Sequence, residues 1–358
     1  RDLVNRTLTI IDHTNPHQPQ PVTHTLAFDS LGRLVAQSRD TVSGSGESVC
    51  VSSRWGYNLD GARTSYTTRN GDTTTYRYDD HGHLASISHP IVGDASFTYD
   101  PAGRVTSVTT REGTRRWEYT NGFVSTYTGP DGERSLIGHD EWGNVTTIHN
   151  GEDSYQYRYN DSGSLTRSCT SRGRCVAWEY DTLGRLIRET TSLRGEVSGD
   201  RVFTYNRASE ITRITQHSAG ETGETVFAYD EAGRRTSSVE TSGRRCEYTW
   251  DTRGCLSGLT VAEDADSSLR VLSTHVDALG YVDHIDDIDL EWDYASILPT
   301  LSGIAGHPLV ALPGGVVLGA PGSSTSTPWR GAGILRDLDN PYAPQASIGM
   351  PAEWGLCL

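Results

Sequence analysis

Apolar and polar residues alternate along most of the chain, in short runs that end at turn-forming residues. Aromatic side chains occupy every second position in runs such as Tyr76 and Tyr78, or Tyr155, Tyr157 and Tyr159. A period of two places these rings on one face of a β-strand, with Thr, Ser, Arg and Glu on the other. The alternation therefore predicts strands. We interpret the aromatic stripe as packing, with a row of sugar-stacking rings as the alternative.

A heptad ends many of these runs. It consists of an aromatic residue, Asp or Asn, two free positions, Gly, usually Arg, and then Leu or Val, as in Tyr-Asp-Pro-Ala-Gly-Arg-Val at residues 99–105. A type I turn prefers Asp first, because its side chain accepts a backbone hydrogen bond, then Pro second and Gly fourth. With Gly in the left-handed region, such a turn closes a hairpin. The turn residues assigned from five clear copies are Asp79 and Gly82, Asp100 and Gly103, Asp181 and Gly184, Asp230 and Gly233, and Asp251 and Gly254.

Twelve copies of the heptad are separated by 20 to 29 residues, most often by 20 or 21. A second turn, such as Asn70-Gly71, lies between heptads, so two turns and two strands of ordinary length fill each period. The sequence predicts an all-β repeat architecture of antiparallel hairpins over residues 28–293. A strand-and-loop lead-in at 1–27 precedes it and a Pro/Gly-rich tail at 294–358 follows. Because strands twist, so long a sheet is expected to curl into a spiral.

Charge and composition exclude several classes of function. The formal charge is −15, which argues against a nucleic-acid-binding surface. All 31 basic residues are Arg, which excludes a Schiff-base lysine and a Walker-type phosphate loop. The densest acidic run, at 283–291, has carboxylates that could hold a cation, but it lacks a Gly-turned calcium loop and is expected to form a solvated edge. No catalytic, cofactor-binding or metal-binding residue is assigned, because the recurring Asp is explained as a turn former.

The six cysteines lack zinc-ligand spacing of the two-residue kind. Cys169 and Cys175 flank a predicted hairpin tip, and Cys246 and Cys255 bracket the turn at 251–254. Two cross-strand disulfides, Cys169–Cys175 and Cys246–Cys255, would suit an exported protein. Buried free thiols are the alternative.

The Tyr-Asp-x-x-Gly-Arg-Leu units resemble the YD repeats of Rhs-type proteins. This family includes bacterial polymorphic toxins, the C component of insecticidal toxin complexes, and the teneurin receptors of animals. The resemblance extends over about residues 28–293 and implies a β-ribbon that spirals into a hollow shell around a C-terminal toxin or plug. The family's terminal core motif, with its autoproteolytic Asp residues, is not found. The nearest string, at 339–341, does not match it, so no enzymatic role is expected.

The resemblance implies a scaffold that encapsulates a C-terminal toxin domain and helps to deliver it in interbacterial competition. The chain opens without Met, so we expect a fragment whose toxin domain follows Leu358. The expected partners are that domain, and a secretion apparatus or cell-surface glycan, with no nucleic acid, cofactor or membrane span. The expected location is secreted or at the bacterial cell surface. The alternative is an adhesion protein whose repeat sheet binds carbohydrate or a receptor.

Overall fold

A computed structural model describes residues 2, 4–12, 21–42, 48–218, 220–252, 254–262, 270–277, 281–285, 288–295, 300–304, 307–312 and 316–319. These residues contain 29 β-strands and no helix. The prediction of an all-β fold built from antiparallel hairpins is therefore confirmed.

The strands follow one another along the chain as β1 (Thr7–Asp12), β2 (Val22–Phe28), β3 (Leu34–Val42), β4 (Ser48–Tyr57), β5 (Arg63–Thr67), β6 (Thr73–Tyr78), β7 (Leu84–His89), β8 (Gly93–Tyr99), β9 (Val105–Thr110), β10 (Gly113–Thr120), β11 (Phe123–Thr128), β12 (Arg134–His139), β13 (Val145–Asn150), β14 (Asp153–Tyr159), β15 (Leu165–Thr170), β16 (Arg174–Tyr180), β17 (Leu186–Leu193), β18 (Glu196–Tyr205), β19 (Ile211–Ser218), β20 (Glu221–Tyr229), β21 (Arg235–Glu240), β22 (Arg245–Trp250), β23 (Leu256–Ala262), β24 (Arg270–Val276), β25 (Val282–Ile285), β26 (Ile288–Asp293), β27 (Thr300–Ile304), β28 (His307–Leu312) and β29 (Val316–Gly319).

The described residues form two compact units. The first contains those up to 111, those at 250–257 and those from 272 onward, and the second contains 112–249 and 258–271. Within each unit, strands pair antiparallel with their neighbours in sequence, as β8 does with β9 and β16 with β17. Such pairing satisfies the backbone groups of each strand through contacts that are local in the chain.

The period of two decides which side chains are buried. In β8, Ala95 and Phe97 are buried, while Asp94, Ser96 and Thr98, which alternate with them, are exposed. This is the alternation that the sequence pattern predicts, and burying the apolar face removes its surface from water. The core of the first unit also contains Trp55, Tyr66, Ile87 and Val108, and that of the second contains Tyr157, Tyr248 and Leu259.

The Pro/Gly-rich tail contributes three short strands, β27 to β29. The last of them includes the apolar segment 316–318. Residues 339–341 and Cys357 lie outside the described residues. Within the part of the chain that the structure describes, no helix has the length and apolarity needed to cross a membrane.

Candidate functional site

The recurring heptad folds into one turn, which the copy at Asp100 illustrates. The backbone N–H of Gly103 donates to the carbonyl of Asp100, and the N–H of Asp100 donates to the carbonyl of Arg104, both at 2.9 Å. The Asp100 Oδ1 accepts the N–H groups of Ala102 and Arg104, and its Oδ2 accepts Arg104 Nε at 2.7 Å. These hydrogen bonds lower the pKa of Asp100, and the bond from the Arg104 side chain has the largest effect. The carboxylate is therefore a turn component that stays ionised.

The same geometry recurs in the other copies. The five assigned glycines have φ values between 77° and 85°, in the left-handed region that only Gly adopts without strain. At the turns of Asp79, Asp100, Asp181 and Asp230 the strand register shifts by one residue, as between Thr98 and Tyr99, so these turns close with a β-bulge. Each of these repeats thus carries its own set of turn residues.

The aromatic residue of the heptad connects one repeat to the one before it. The Tyr99 hydroxyl donates to the backbone carbonyl of Leu84, the first residue of the preceding outgoing strand, at 2.8 Å. Burial raises the pKa of Tyr99, which keeps the hydroxyl protonated as a donor. The corresponding donor and carbonyl pairs in other repeats are Tyr57 and Leu34, Tyr78 and Arg63, Tyr159 and Val145, Tyr180 and Leu165, Tyr205 and Leu186, and Tyr229 and Ile211.

We call this set the tyrosine links. The reasoning from sequence missed them, because it treated the heptad aromatics only as a packing stripe. One signal was present in the sequence: most copies of the heptad have Tyr, and not another aromatic residue, at this position.

A second contact reinforces the links. The residue after the turn Gly covers the tyrosine ring of the next repeat, as Arg33 does over Tyr57 at 4.6 Å and Arg185 over Tyr205 at 4.7 Å. Where His83 replaces Arg, its ring stacks on Tyr99 with centroids 4.8 Å apart. A guanidinium on an aromatic face is attracted by the ring quadrupole. A single side chain, that of the residue after the turn Gly, therefore couples the turn of one repeat to the tyrosine of the next.

The two predicted disulfides have different outcomes. Cys169 and Cys175 face each other across β15 and β16, with a Cα–Cα distance of 4.1 Å, and form a disulfide. Cys255 is a free thiol, so the predicted Cys246–Cys255 bond is wrong. The reason is the turn, in which Asp251 and Cys255 exchange hydrogen bonds. Cys255 therefore stands opposite Asp251.

The acidic run at 283–291 is not a solvated edge, so that prediction is wrong for its described members. Asp283 and Glu291 are buried, and their carboxylates accept hydrogen bonds from Arg39 and Arg69 at 2.9 and 2.8 Å. Arg69 also pairs with Asp289. Buried carboxylates need such partners, because an unpaired charge away from water is costly.

Asp293, which ends β26, completes this arginine–carboxylate cluster. Its Oδ1 accepts the indole N–H of Trp55 at 2.9 Å, and its Oδ2 pairs with Arg63. Further along, the Tyr66 hydroxyl and Ser302 Oγ lie 3.2 Å apart. The cluster therefore connects three strands late in the chain, β25, β26 and β27, to side chains of the first repeats. Sequence reasoning could not pair these residues, because more than 200 positions separate them.

A cavity of about 60 Å³ adjoins the cluster, with Arg39, Asp277, Asp283, Glu291 and Tyr294 among its lining residues. The Tyr294 hydroxyl donates to Asp277, and burial together with that negative charge raises the pKa of Tyr294. The cavity is large enough for water molecules but much smaller than ordinary small-molecule sites, which span about 300–1,000 Å³. The geometry therefore suits fastening of strands better than binding of a substrate.

The RHS Repeat family model matches residues 57–90, 99–134 and 159–197, which include five of the heptad turns. Among solved structures, a mutant Tc holotoxin pore from Photorhabdus luminescens matches at 14% identity and a TM-score of 0.54, over 83% of this chain and 16% of that chain. The crystal structure of TcdB2-TccC3 matches at 13% identity and a TM-score of 0.41, over 87% of this chain and 23% of that one. No curated protein sequence matches.

The chain thus spans less than a quarter of the length of either structure. The likeness to the holotoxin chain concerns the fold. The Asp–Gly turn, its one-residue bulge and the tyrosine link to the preceding repeat recur within and beyond the three segments that match the family model. The chain is therefore built from repeats of the Rhs/YD type, and three of its segments match the RHS Repeat family model.

Proposed function

We propose that this chain is part of the wall of a shell that encloses a C-terminal toxin domain of the same polypeptide and helps to deliver it to a competing cell. The wall acts outside the producing bacterium, as a secreted or surface-attached protein. The fold likeness to a chain of the Tc holotoxin pore supports a toxin-related scaffold.

One observation carries the proposal. The last strands of the repeat region, β25 and β26, are held against the first repeats by polar contacts between residues 222 to 244 positions apart. The chain therefore leaves the repeat region in contact with the first repeats and does not extend directly into solvent. In a shell, this is the direction that the downstream domain must take to be enclosed.

The design of the repeats also favours a wall over an enzyme. In the copy at Asp100, the turn carboxylate accepts hydrogen bonds from its own backbone and from the neighbouring Arg104. The Tyr99 hydroxyl donates to a carbonyl of the previous repeat. A stack of units that bond mainly to their neighbours can be extended without limit, because stability adds unit by unit. The function proposed here therefore needs no catalytic residue in this chain.

Protease protection tests the proposal. The full-length protein and its isolated C-terminal domain are exposed to the same protease, and intact domain is quantified over time. We expect the domain to survive much longer in the full-length protein, and to become sensitive when Asp293→Ala loosens the arginine–carboxylate cluster. Glu118→Ala, in an exposed ion pair with Arg134, is the matched control and should leave protection intact. Equal digestion of free and full-length domain would overturn enclosure and favour the adhesion alternative.

A further inference from the structure

In several repeats the bulge brings three side-chain positions to one point. In the copy at Tyr99, the strand register pairs Tyr99 with Val105 and Thr98 with Ser107, which leaves Thr106 as the extra residue. The Thr98 hydroxyl lies 2.8 Å from that of Thr106 and 2.7 Å from that of Ser107. A bulge redirects side chains in this way, so that two consecutive residues approach the same partner.

The backbone of the repeat brings these three positions together, whichever residue types occupy them. At Gly138, an added Cβ would lie 2.5 Å from Thr147 Oγ1 and 3.7 Å from Thr146 Oγ1. Whatever side chains occupy the three positions are therefore held together by the backbone. We call these positions the bulge triplet.

In the last described copy, the bulge triplet consists of His275, Asp283 and His284. The register there pairs Val276 with Val282 and His275 with His284, so Asp283 is the extra residue. His275 Nδ1 lies 2.5 Å and His284 Nδ1 lies 3.2 Å from the same Asp283 oxygen, Oδ1. One ligand atom from each residue lies within 4.8 Å of the other two.

Two further features suit this triplet to a metal ion. The side chains of His275 and Asp283 are only 3% and 5% exposed, and the other Asp283 oxygen, Oδ2, is held by Arg39 at 2.9 Å. Metal-binding carboxylates are commonly oriented by such an outer partner.

We propose that His275, Asp283 and His284 bind a divalent transition-metal ion of the Zn²⁺ type. Imidazole nitrogen and carboxylate oxygen are ordinary Zn²⁺ ligands, and three protein ligands leave a fourth position for water. Asp283 also lines the cavity of about 60 Å³, which has room for that water. Arg39 is a positioning residue that aims the carboxylate. The ion would fasten β24 to β25 and, through Arg39, to β3.

The competing explanation is a network of hydrogen bonds in which both imidazoles donate to Asp283. The chain offers a matched control for it, because His217 Nδ1 lies 3.1 Å from Asp200 Oδ1 in a half-exposed pair with a single imidazole. The control also matters because the chain has 12 histidines, any of which could bind metal weakly.

Co²⁺ and Zn²⁺ titrations of the full chain decide between the two. We expect one equivalent of Co²⁺ to give the intense visible absorption of a tetrahedral site, to be displaced by Zn²⁺, and to raise the melting temperature. His284→Asn should weaken Co²⁺ binding more than 100-fold, Arg39→Met by about 10- to 100-fold, and His217→Asn not measurably. Circular dichroism verifies that each variant is folded.

A wild-type chain that shows no tetrahedral Co²⁺ spectrum at one equivalent would overturn the proposal, whatever the variants do. An unchanged spectrum in folded His284→Asn would overturn it as well. Should His284→Asn fail to fold, His275→Asn takes its place and the wild-type titration still decides.

Discussion

The hydroxyl of Tyr99 donates a hydrogen bond to the backbone carbonyl of Leu84, fifteen residues earlier in the chain. Leu84 begins the outgoing strand of the preceding repeat, so this bond adds a side-chain contact to the pairing of β7 with β8 that connects the two repeats. Since the same bond recurs from Tyr57 to Tyr229, it makes neighbouring repeats cooperative.

Tyr99→Phe should lower the free energy of unfolding by about 1 kcal/mol, because it removes one hydrogen bond and leaves the Leu84 carbonyl without its donor. Urea denaturation measures this change. Tyr127→Phe removes a hydroxyl that has no hydrogen-bond partner among the described residues and is the control. Equal effects of the two substitutions would show that the link contributes nothing to stability.

Gly184→Ala should destabilise the chain by about 1 kcal/mol through backbone strain alone. Its φ is 77°, and an added Cβ would meet no atom within 4 Å, so steric contact is not a factor. Gly223→Ala is the matched control, because Gly223 also has open space around it but its φ lies outside the left-handed range. A loss at Gly223 as large as at Gly184 would contradict the turn assignment.

Acid should destabilise the repeats through their turn carboxylates. Hydrogen bonds from Arg side chains and backbone N–H groups lower the pKa values of Asp100, Asp181 and Asp230 below their usual 3.8. A group whose folded pKa is depressed stabilises the fold above its unfolded pKa, and that stability disappears as the pH falls below about 4 towards the folded value. Urea midpoints measured from neutral pH down to about pH 3 should therefore decrease.

The combined variant Asp100→Asn, Asp181→Asn and Asp230→Asn tests the cause. Asn forms the same turn in this chain, since Asn160 Oδ1 accepts the N–H groups of Ser162 and Ser164. The variant should remain folded and lose less stability in acid than the wild type. An identical acid dependence would assign the effect to other carboxylates.

Asp293→Ala should cost about 3 kcal/mol, the scale expected when one partner of a buried ion pair is removed. The substitution leaves the Arg63 guanidinium and the Trp55 indole N–H without their acceptor. Glu118→Ala removes one member of a pair whose side chains are both more than half exposed, and should change stability by less than about 1 kcal/mol. Similar losses in the two variants would argue against the arginine–carboxylate cluster as a fastening.

The sequence by itself determined the strands, the hairpins and the turn carboxylates. Each depends on residues a few positions apart: Asp100 bonds to groups two and four residues later, and Gly103 needs only its own φ. Local interactions of this kind are readable from the order of residue types, because the chain has no other way to bring such neighbours together.

The tertiary structure decided everything that depends on distant residues. Nothing in the sequence at 283–291 distinguishes a solvated acidic edge from a row of buried carboxylates; the arginines of the first repeats make the difference, and they approach only when the chain folds back. The same holds for the carbonyl that Tyr99 reaches. The bulge triplet lies between these cases, because His275 and His284 meet through the hairpin register, while Asp283 joins them only through the one-residue bulge.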